Sequence, residues 1–165
     1  LVRDGETIFL GSGTTTLEVA RALHGRRSLT VITNALSIAN ELAEDPDIEL
    51  IILGGTFRRS ELSMIGHLTE QALKELRADK VIMGIRAIHS EHGLTNDYLP
   101  ETMTDRAIIR SGQELIIVAD HTKFGRVSTA FVAPITAASC IITDGGVDPE
   151  MVAQIEALGV PVTKV

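Results

Sequence analysis

Thr7–Leu23, TIFLGSGTTTLEVARAL, is the stretch that most clearly predicts how this chain folds. Thr7–Leu10 is typical of a short apolar strand, and the apolar residues from Leu17 onward recur at the spacing of one helix face. Gly11–Thr16 form a Gly/Ser/Thr turn between the two elements. Such a turn leaves backbone N–H groups unpaired at the positive end of a helix dipole, and it therefore predicts an anion-binding site.

The composition of this turn favours a small phosphate ester. Ser12, Thr14 and Thr15 add hydroxyl donors. No Lys follows the glycines, as a Walker loop requires, and the G-x-G spacing lacks the third Gly of a dinucleotide fingerprint. A purely structural interpretation remains open, because Thr15-x-x-Glu18 fits a capping box and Gly13 could simply permit a tight turn.

Length and composition indicate one globular domain over residues 1–165. The net charge of −7 and the lack of a basic tract argue against direct binding to nucleic acid. No apolar run is long enough to span a bilayer and no signal peptide is evident, so we expect a soluble cytoplasmic protein without membrane contact. The chain starts at Leu1 without Met, which suggests that an N-terminal part lies outside this sequence.

Apolar segments that alternate with helical patterns predict an α/β fold, with a mostly parallel sheet sandwiched by helices. Ile48–Leu53 is a continuous apolar run of the kind buried on both faces. Thr56–Ser63 is predicted to be a polar loop, and Ile85–Pro100 has no clear period and is predicted to be a long functional loop. The other predicted strands are Thr7–Leu10, Leu29–Thr33, Lys80–Gly84, Glu114–Ala119, Thr129–Val132, Ser139–Thr143 and Val160–Val165.

Three further helix starts are indicated by their capping residues. Asn34 is suited to cap the helix that runs through Leu42, and Asp148-Pro149 supplies an N-cap followed by proline. Thr102-x-x-Asp105 also fits a helix start, near the helix predicted over Glu101–Ser111.

Polar segments directly follow most of the predicted strands. In open parallel sheets, ligands bind beyond the carboxyl ends of the strands, so these segments are expected to gather at one edge. Their convergence predicts a ligand site there. The segments are Gly11–Thr16, Thr33-Asn34, Gly54-Gly55, Gly84–Arg86, Asp120–Lys123 and Asp144–Gly146.

The same segments carry a family resemblance. Over about Asp4 to Val165, the chain resembles the C-terminal effector domain of DeoR-type transcriptional regulators. The resemblance lies in six motifs and their order, which are GSGTTT, VITNA, ILGG, GLT, ADHTKFG and IITDGG. The resemblance implies a fold related to ribose-5-phosphate isomerase and the CoA-transferase-like proteins. It implies a homo-oligomeric sensor whose binding of a phosphorylated sugar alters operator binding. DNA would be bound only through an N-terminal winged helix-turn-helix outside this sequence, and no cofactor is implied.

Site residues at the phosphate end follow from the resemblance. It implies that the turn holds the phosphate through backbone and hydroxyl donors, with Lys123 supplying positive charge. Asp120 would accept hydrogen bonds from sugar hydroxyls or orient Lys123, although the two also fit a simple turn ion pair. The phosphate-binding residues implied are Ser12, Gly13, Thr14 and Thr15.

Asn34, with Gly54 and Gly55, would line the floor of the same pocket according to the resemblance. Arg58 and Arg86 are added from their positions after strands, as second contacts to an anion or a hydroxyl. Helix capping by Asn34 and solvation of Arg58 are the structural alternatives.

An isomerase on the same fold is the main rival interpretation, because aldose–ketose isomerisation needs a carboxylate base and groups that stabilise an enediolate. Related isomerases carry an acidic pair after the fourth strand and a Lys in the next Gly-rich segment. This chain has no Asp pair there and no Lys before Gly93, and instead offers Arg86, His89, Glu91 and His92. Asp105, where a Lys is commoner in relatives, is the one acid that could mimic the base. We therefore predict ligand binding without turnover and no catalytic residues.

A metal site at His89-x-x-His92, with Asp97 nearby, has little support because two His on a loop lack further ligands. We predict no metal site.

Overall fold

The computed structural model describes residues 1–165 as a three-layer α/β structure. Two short 3₁₀ turns accompany the helices, at His121–Lys123 and Ile135–Ala137. The helices are Thr14–Arg21 (α1), Leu36–Leu42 (α2), His67–Lys74 (α3), Leu99–Ser111 (α4) and Pro149–Ala157 (α5). The strands are Thr7–Leu10 (β1), Leu29–Thr33 (β2), Ile48–Ile52 (β3), Thr56–Arg58 (β4), Ser63–Ile65 (β5), Ala78–Met83 (β6), Ala87–His89 (β7), Gly93–Asn96 (β8), Gly112–Val118 (β9), Ala130–Ala133 (β10), Cys140–Thr143 (β11) and Val162–Lys164 (β12).

Seven parallel strands form the central sheet, in the order β12-β11-β9-β6-β1-β2-β3. Successive residues of β1 face opposite sides of the sheet and pack in two separate hydrophobic cores. Ile8 and Leu10 pack in the core that also holds buried residues of α1 and α2, and Phe9 packs in the core that holds residues of α3, α4 and α5. This arrangement confirms the predicted mostly parallel sheet sandwiched by helices.

The chain changes direction across the sheet next to β1. From β1 it proceeds outward through β2 and β3, and then it returns to place β6 on the other side of β1. Leu10 near the end of β1 is paired with Ile82 near the end of β6. A crevice is expected beyond the carboxyl ends of these two strands, because the connections leave the sheet in opposite directions there.

Both segments predicted to be long loops contain strands. β4 lies within Thr56–Ser63, and β5 begins at Ser63; the two strands pair as an antiparallel hairpin. Within Ile85–Pro100, β7 and β8 form a hairpin that β10 extends to a three-stranded antiparallel sheet. The loop predictions were therefore wrong, because strands of three or four residues are too short to show a clear alternation of apolar and polar residues.

The prediction that Ile48–Leu53 is buried on both faces was also wrong. β3 is an edge strand of the sheet, and Ile52 is 53% exposed. The apolar run alone could not distinguish an edge strand from a central one, because that distinction depends on which strands pair with it.

Two of the predicted caps are absent from the structure. Gly13 is the N-cap of α1, and no side chain caps that helix, so the Thr15-x-x-Glu18 capping box does not form. Ala35, not Asn34, is the N-cap of α2. Asp105 lies well inside α4 rather than at its start.

The predicted start of α5 is confirmed. Asp148 is its N-cap, with Oδ1 accepting a 2.9 Å hydrogen bond from the N–H of Glu150, and Pro149 is the first helical residue. No helix of the chain combines the length and the apolar character needed to cross a bilayer.

Asp148→Ala is expected to lower the free energy of unfolding by about 1 kcal/mol, because an N–H at the helix start loses its acceptor. Urea unfolding followed by circular dichroism measures the change. Asp148→Asn is the control, since its amide oxygen can accept the same bond and should retain most of the stability. Equal losses in both variants would contradict a capping role.

Candidate functional site

A cavity of about 290 Å³ lies at the predicted crevice beyond the ends of β1 and β6. The ends of β1, β2, β6 and β9 contribute to its wall, together with α4 and the two hairpin segments. Its lining residues are Gly11, Ser12, Gly13, Thr14, Thr15, Thr16, Asn34, Glu61, Met83, Gly84, Ile85, Arg86, Asn96, Glu101, Asp105, Ile108, Val118, Ala119, Asp120 and Lys123.

The start of α1 forms one end of the cavity. The first backbone hydrogen bond of α1 is donated by Leu17 N to Gly13 O, at 3.1 Å, so the N–H groups of Thr14 to Thr16 have no partner within the helix. Gly13 has φ 128° and ψ 161°, a conformation that other residues rarely adopt. Thr16 turns its hydroxyl back to Gly13 O at 2.8 Å, whereas Thr14 and Thr15 are exposed. The arrangement leaves backbone donors available to an anion.

Lys123 and Asp120 line the same cavity from the segment after β9. Lys123 Nζ lies 3.9 Å from Asp120 Oδ2, and the Lys side chain is 30% exposed. Asp120 Oδ1 accepts a 2.8 Å bond from Thr122 N, and hydrogen bonds from Thr122 hold the pKa of Asp120 below its usual value. Asp120 is therefore an ionised acceptor that lies close to the ammonium group of Lys123.

Two acids from α4, Glu101 and Asp105, line another part of the cavity. They are four residues apart and share a helix face. Asn96 of β8 donates its side-chain N–H to Asp105 Oδ2. Burial, reinforced by the nearby Glu101 carboxylate, raises the pKa of Asp105 to about 8. Asp105 therefore holds a proton at neutral pH.

The two predicted arginines occupy different positions. Arg86 lines the cavity and forms ion pairs with Glu61 at 2.9 Å and with Asp97 at 3.4 Å. Arg58 does not line it, and instead forms an ion pair with Glu101 and stacks over the Tyr98 ring at 4.5 Å. Arg58 can therefore act on the cavity through Glu101.

The predicted floor residues are also separated. Asn34 lines the cavity and donates to Met64 O at 2.8 Å. Gly54 and Gly55 are not among the lining residues. Gly54 O accepts a hydrogen bond from Thr69 Oγ1. A Cβ added at Gly55 would lie 2.2 Å from Thr69 Oγ1. Gly55 therefore permits close packing against the start of α3.

Four polar lining residues lie outside the strand-end segments predicted from sequence, although Asp105 was considered as a possible base. The i,i+4 spacing of Glu101 and Asp105 was a usable signal, since it places both acids on one face of a predicted helix. Glu61 and Asn96 gave no comparable signal, because their positions depend on hairpins that the sequence did not reveal. The four residues are Glu61, Asn96, Glu101 and Asp105.

The histidine pair considered as a metal site shapes a turn. Nδ1 of His89 accepts backbone N–H bonds from Glu91 at 3.1 Å and His92 at 3.4 Å. Asp97 pairs with Arg86. No group of three or more His, Cys, Asp or Glu side chains is arranged to hold a metal ion.

Comparison with known proteins identifies the family. The family model described as the DeoR C-terminal sensor domain matches residues 1–145. The chain belongs to the DeoR sensor-domain family. The predicted family is thereby confirmed.

Similar curated proteins are named as transcriptional regulators. The sensor domain is 32% identical over 162 residues to the HTH-type transcriptional regulator GolR of Listeria innocua, covering 98% of this chain and 64% of that protein. It is 34% identical over 143 residues to the glycerol-3-phosphate regulon repressor of Escherichia coli K12, covering 87% of this chain and 57% of that protein. The chain thus spans less than two thirds of these relatives.

A solved structure shares the fold. The sensor domain matches ribose 5-phosphate isomerase A from Neisseria gonorrhoeae with a TM-score of 0.53 and 17% identity, covering 77% of this chain and 48% of that one. At this identity the match supports the fold alone, and it confirms the predicted isomerase-like architecture.

The raised pKa of Asp105 predicts a pH-dependent stability. The folded state keeps a proton on Asp105 that the unfolded chain releases above an ordinary pKa of 3.8, so the contribution of Asp105 to stability is most favourable at low pH and falls as the pH rises towards about 8. Asp105→Asn removes this titration. Its stability relative to the native chain is expected to rise from pH 5 to pH 8, by up to about 1.4 kcal/mol per pH unit.

Urea unfolding at several pH values measures this rise. Asp47→Asn controls for the loss of one carboxylate, because Asp47 is exposed and does not line the cavity. If the difference in free energy of unfolding between Asp105→Asn and the native chain stayed constant from pH 5 to pH 8, the raised pKa of Asp105 would be contradicted.

Proposed function

We propose that this chain senses a phosphorylated sugar, which it binds without turnover. The start of α1, whose first N–H groups have no partner within the helix, lines the same cavity as Lys123. This observation carries the proposal. Backbone donors, a helix dipole and one ammonium group together suit a phosphate. Amide and carboxylate side chains elsewhere in the lining suit sugar hydroxyls.

The size and charge of the cavity favour a monophosphate over a nucleotide triphosphate. At about 290 Å³ the cavity is at the small end of ligand pockets. Its second cation, Arg86, is already shared between Glu61 and Asp97. A polyphosphate would therefore meet few unpaired positive groups.

Ligand binding would alter operator binding in the intact regulator. The names of the relatives, which are transcriptional regulators and repressors, support this role. DNA contact would come from a helix-turn-helix outside this sequence, in keeping with the acidic net charge of −7. A phosphorylated sugar can act as a switch only if it binds one conformation more tightly than another.

Assembly into a homo-oligomer is also part of the proposal. Leu68 of α3 and Leu99 and Met103 of α4 are exposed, and these two helices pack against each other. Exposed apolar side chains on neighbouring helices are typical of association surfaces. Light scattering coupled to size-exclusion chromatography measures the assembly, and a monomer at all concentrations would contradict it.

Isomerisation is the alternative, and Asp105 favours it. A carboxyl group with a pKa near neutrality in a cavity can serve as an acid or a base. However, Asp105 is hydrogen-bonded to Asn96, and Arg58, the cation that acts on its pKa, is ion-paired with Glu101. That cation is therefore not free to stabilise an enediolate.

A thermal-shift screen tests the proposal. Sugar phosphates are compared with their free sugars and with inorganic phosphate. A ligand at about 100 times its dissociation constant stabilises the fold by about 2.7 kcal/mol, which raises the melting temperature by a few degrees. A shift by an ester but not by its free sugar is expected, and no shift by any ester would contradict phosphate sensing. Proton NMR of the stabilising ester then detects turnover, and formation of an aldose–ketose isomer would favour the enzyme.

A further inference from the structure

Every carboxylate around the cavity except Asp105 has a cation as a partner. Glu61 pairs with Arg86, Glu101 pairs with Arg58, and Asp120 lies 3.9 Å from Lys123. No Lys or Arg side chain lies within ion-pair distance of Asp105. The cavity therefore holds one acid that would have no paired cation if it ionised.

Asp105 is nevertheless almost fully enclosed, with 8% of the residue exposed. Asn96 donates to its Oδ2. Asn34, 4% exposed and lining the same cavity, has a buried Oδ1 without a hydrogen-bond partner. Unsatisfied oxygens of buried side chains are costly, and the groups that satisfy them are donors.

We propose that Asp105 receives a protonated amine of the ligand, so that the sensed compound is an amino-sugar monophosphate. This inference rests on the proposed phosphate-sensing function and names its ligand class. An ammonium group has three donors and no acceptor, and it brings the positive charge that the surroundings of Asp105 lack. A hydroxyl group donates only one bond and brings no charge.

Such a ligand matches the polarity of the whole cavity. Its phosphate would meet the helix start and Lys123, and its ammonium group would meet the side of the cavity that carries Glu101 and Asp105. Charge-assisted hydrogen bonds are roughly twice as strong as neutral ones. Burial and Glu101 hold the pKa of Asp105 near 8, and an entering cation would lower it towards the ionised form.

Matched ligand pairs test the inference by isothermal titration calorimetry at pH 7.0. Glucosamine 6-phosphate is compared with glucose 6-phosphate, and galactosamine 6-phosphate with galactose 6-phosphate. In at least one pair the amino sugar is expected to bind tenfold or more tightly than its hydroxyl counterpart. Asp105→Asn should reduce this ratio to below threefold, whereas Asp47→Asn, which removes an exposed carboxylate that does not line the cavity, should preserve it.

The outcomes separate this inference from the proposed function. Hydroxyl sugar phosphates that bind as tightly as both amino sugars would overturn the amine-binding role of Asp105 and leave phosphate sensing intact. A preference for the amino sugar that survives in Asp105→Asn would also overturn it. Failure of all four esters and of inorganic phosphate to bind would count against phosphate sensing itself. If Asp105→Asn does not fold, the ratio in the native chain decides.

Discussion

Gly93→Ala is expected to lower the free energy of unfolding by about 3 kcal/mol, the largest stability loss of the changes considered. Gly93 has φ +72°, and a Cβ there would lie 2.4 Å from the carbonyl oxygen of Ala133. The left-handed conformation costs roughly 1–2 kcal/mol for an L-residue, and overpacking against backbone costs roughly 1–3 kcal/mol more. The carbonyl belongs to β10, which pairs with β8, so it cannot move without disturbing that pairing.

Gly5→Ala is the matched control for this change. Gly5 has a similar φ of +80°, but an added Cβ would meet nothing within 4 Å. It should cost only about 1 kcal/mol through its conformation. Urea unfolding of both variants measures the difference, and equal losses would show that the approach of β10 to Gly93 is looser than the structure indicates.

Lys123→Gln is expected to have the largest effect on ligand binding, weakening a phosphorylated sugar about tenfold to a hundredfold. Hydrogen bonds that involve a charged group are worth about 1.5–3 kcal/mol, and Lys123 lies on the cavity with only Asp120 within ion-pair distance. The loss should be smaller at high salt, since the Lys side chain is 30% exposed and its charge is partly screened.

Calorimetric titration of the ester that gives the largest thermal shift measures this loss. Lys74→Gln removes the same charge from α3, at a residue that does not line the cavity, and should bind like the native chain. An unchanged affinity in Lys123→Gln would place the phosphate away from the segment after β9.

Elements that show a clear periodicity could be predicted from the sequence. The buried strands around β1 are apolar and flanked by helical patterns, so the sheet and its helix layers followed from local sequence. Ligands bind beyond the ends of parallel strands, and this rule predicted that several polar segments share one site. The α1 turn, Asn34, Arg86, Asp120 and Lys123 do line one cavity. Their contact with a ligand remains a prediction.

The remaining site residues depend on long-range packing. Gly54 and Gly55 follow a strand like the others, but β3 is the edge strand, and its end packs against Thr69 instead of the cavity. Asp105 reaches the cavity only because α4 crosses that side of the sheet. Its unusual pKa arises from burial and from Glu101, and neither effect is visible in sequence before the helix is placed.

The measurement that tests phosphate sensing most directly is amide NMR of the ¹⁵N-labelled chain during titration with the best-binding phosphorylated sugar. The largest shifts are expected at the N–H groups of Gly13, Thr14 and Thr15, because those donors would bond the phosphate. The free sugar at the same concentration should leave them unchanged. Saturation by the ester with these three signals unmoved, and with changes elsewhere, would contradict a phosphate cradle at the start of α1.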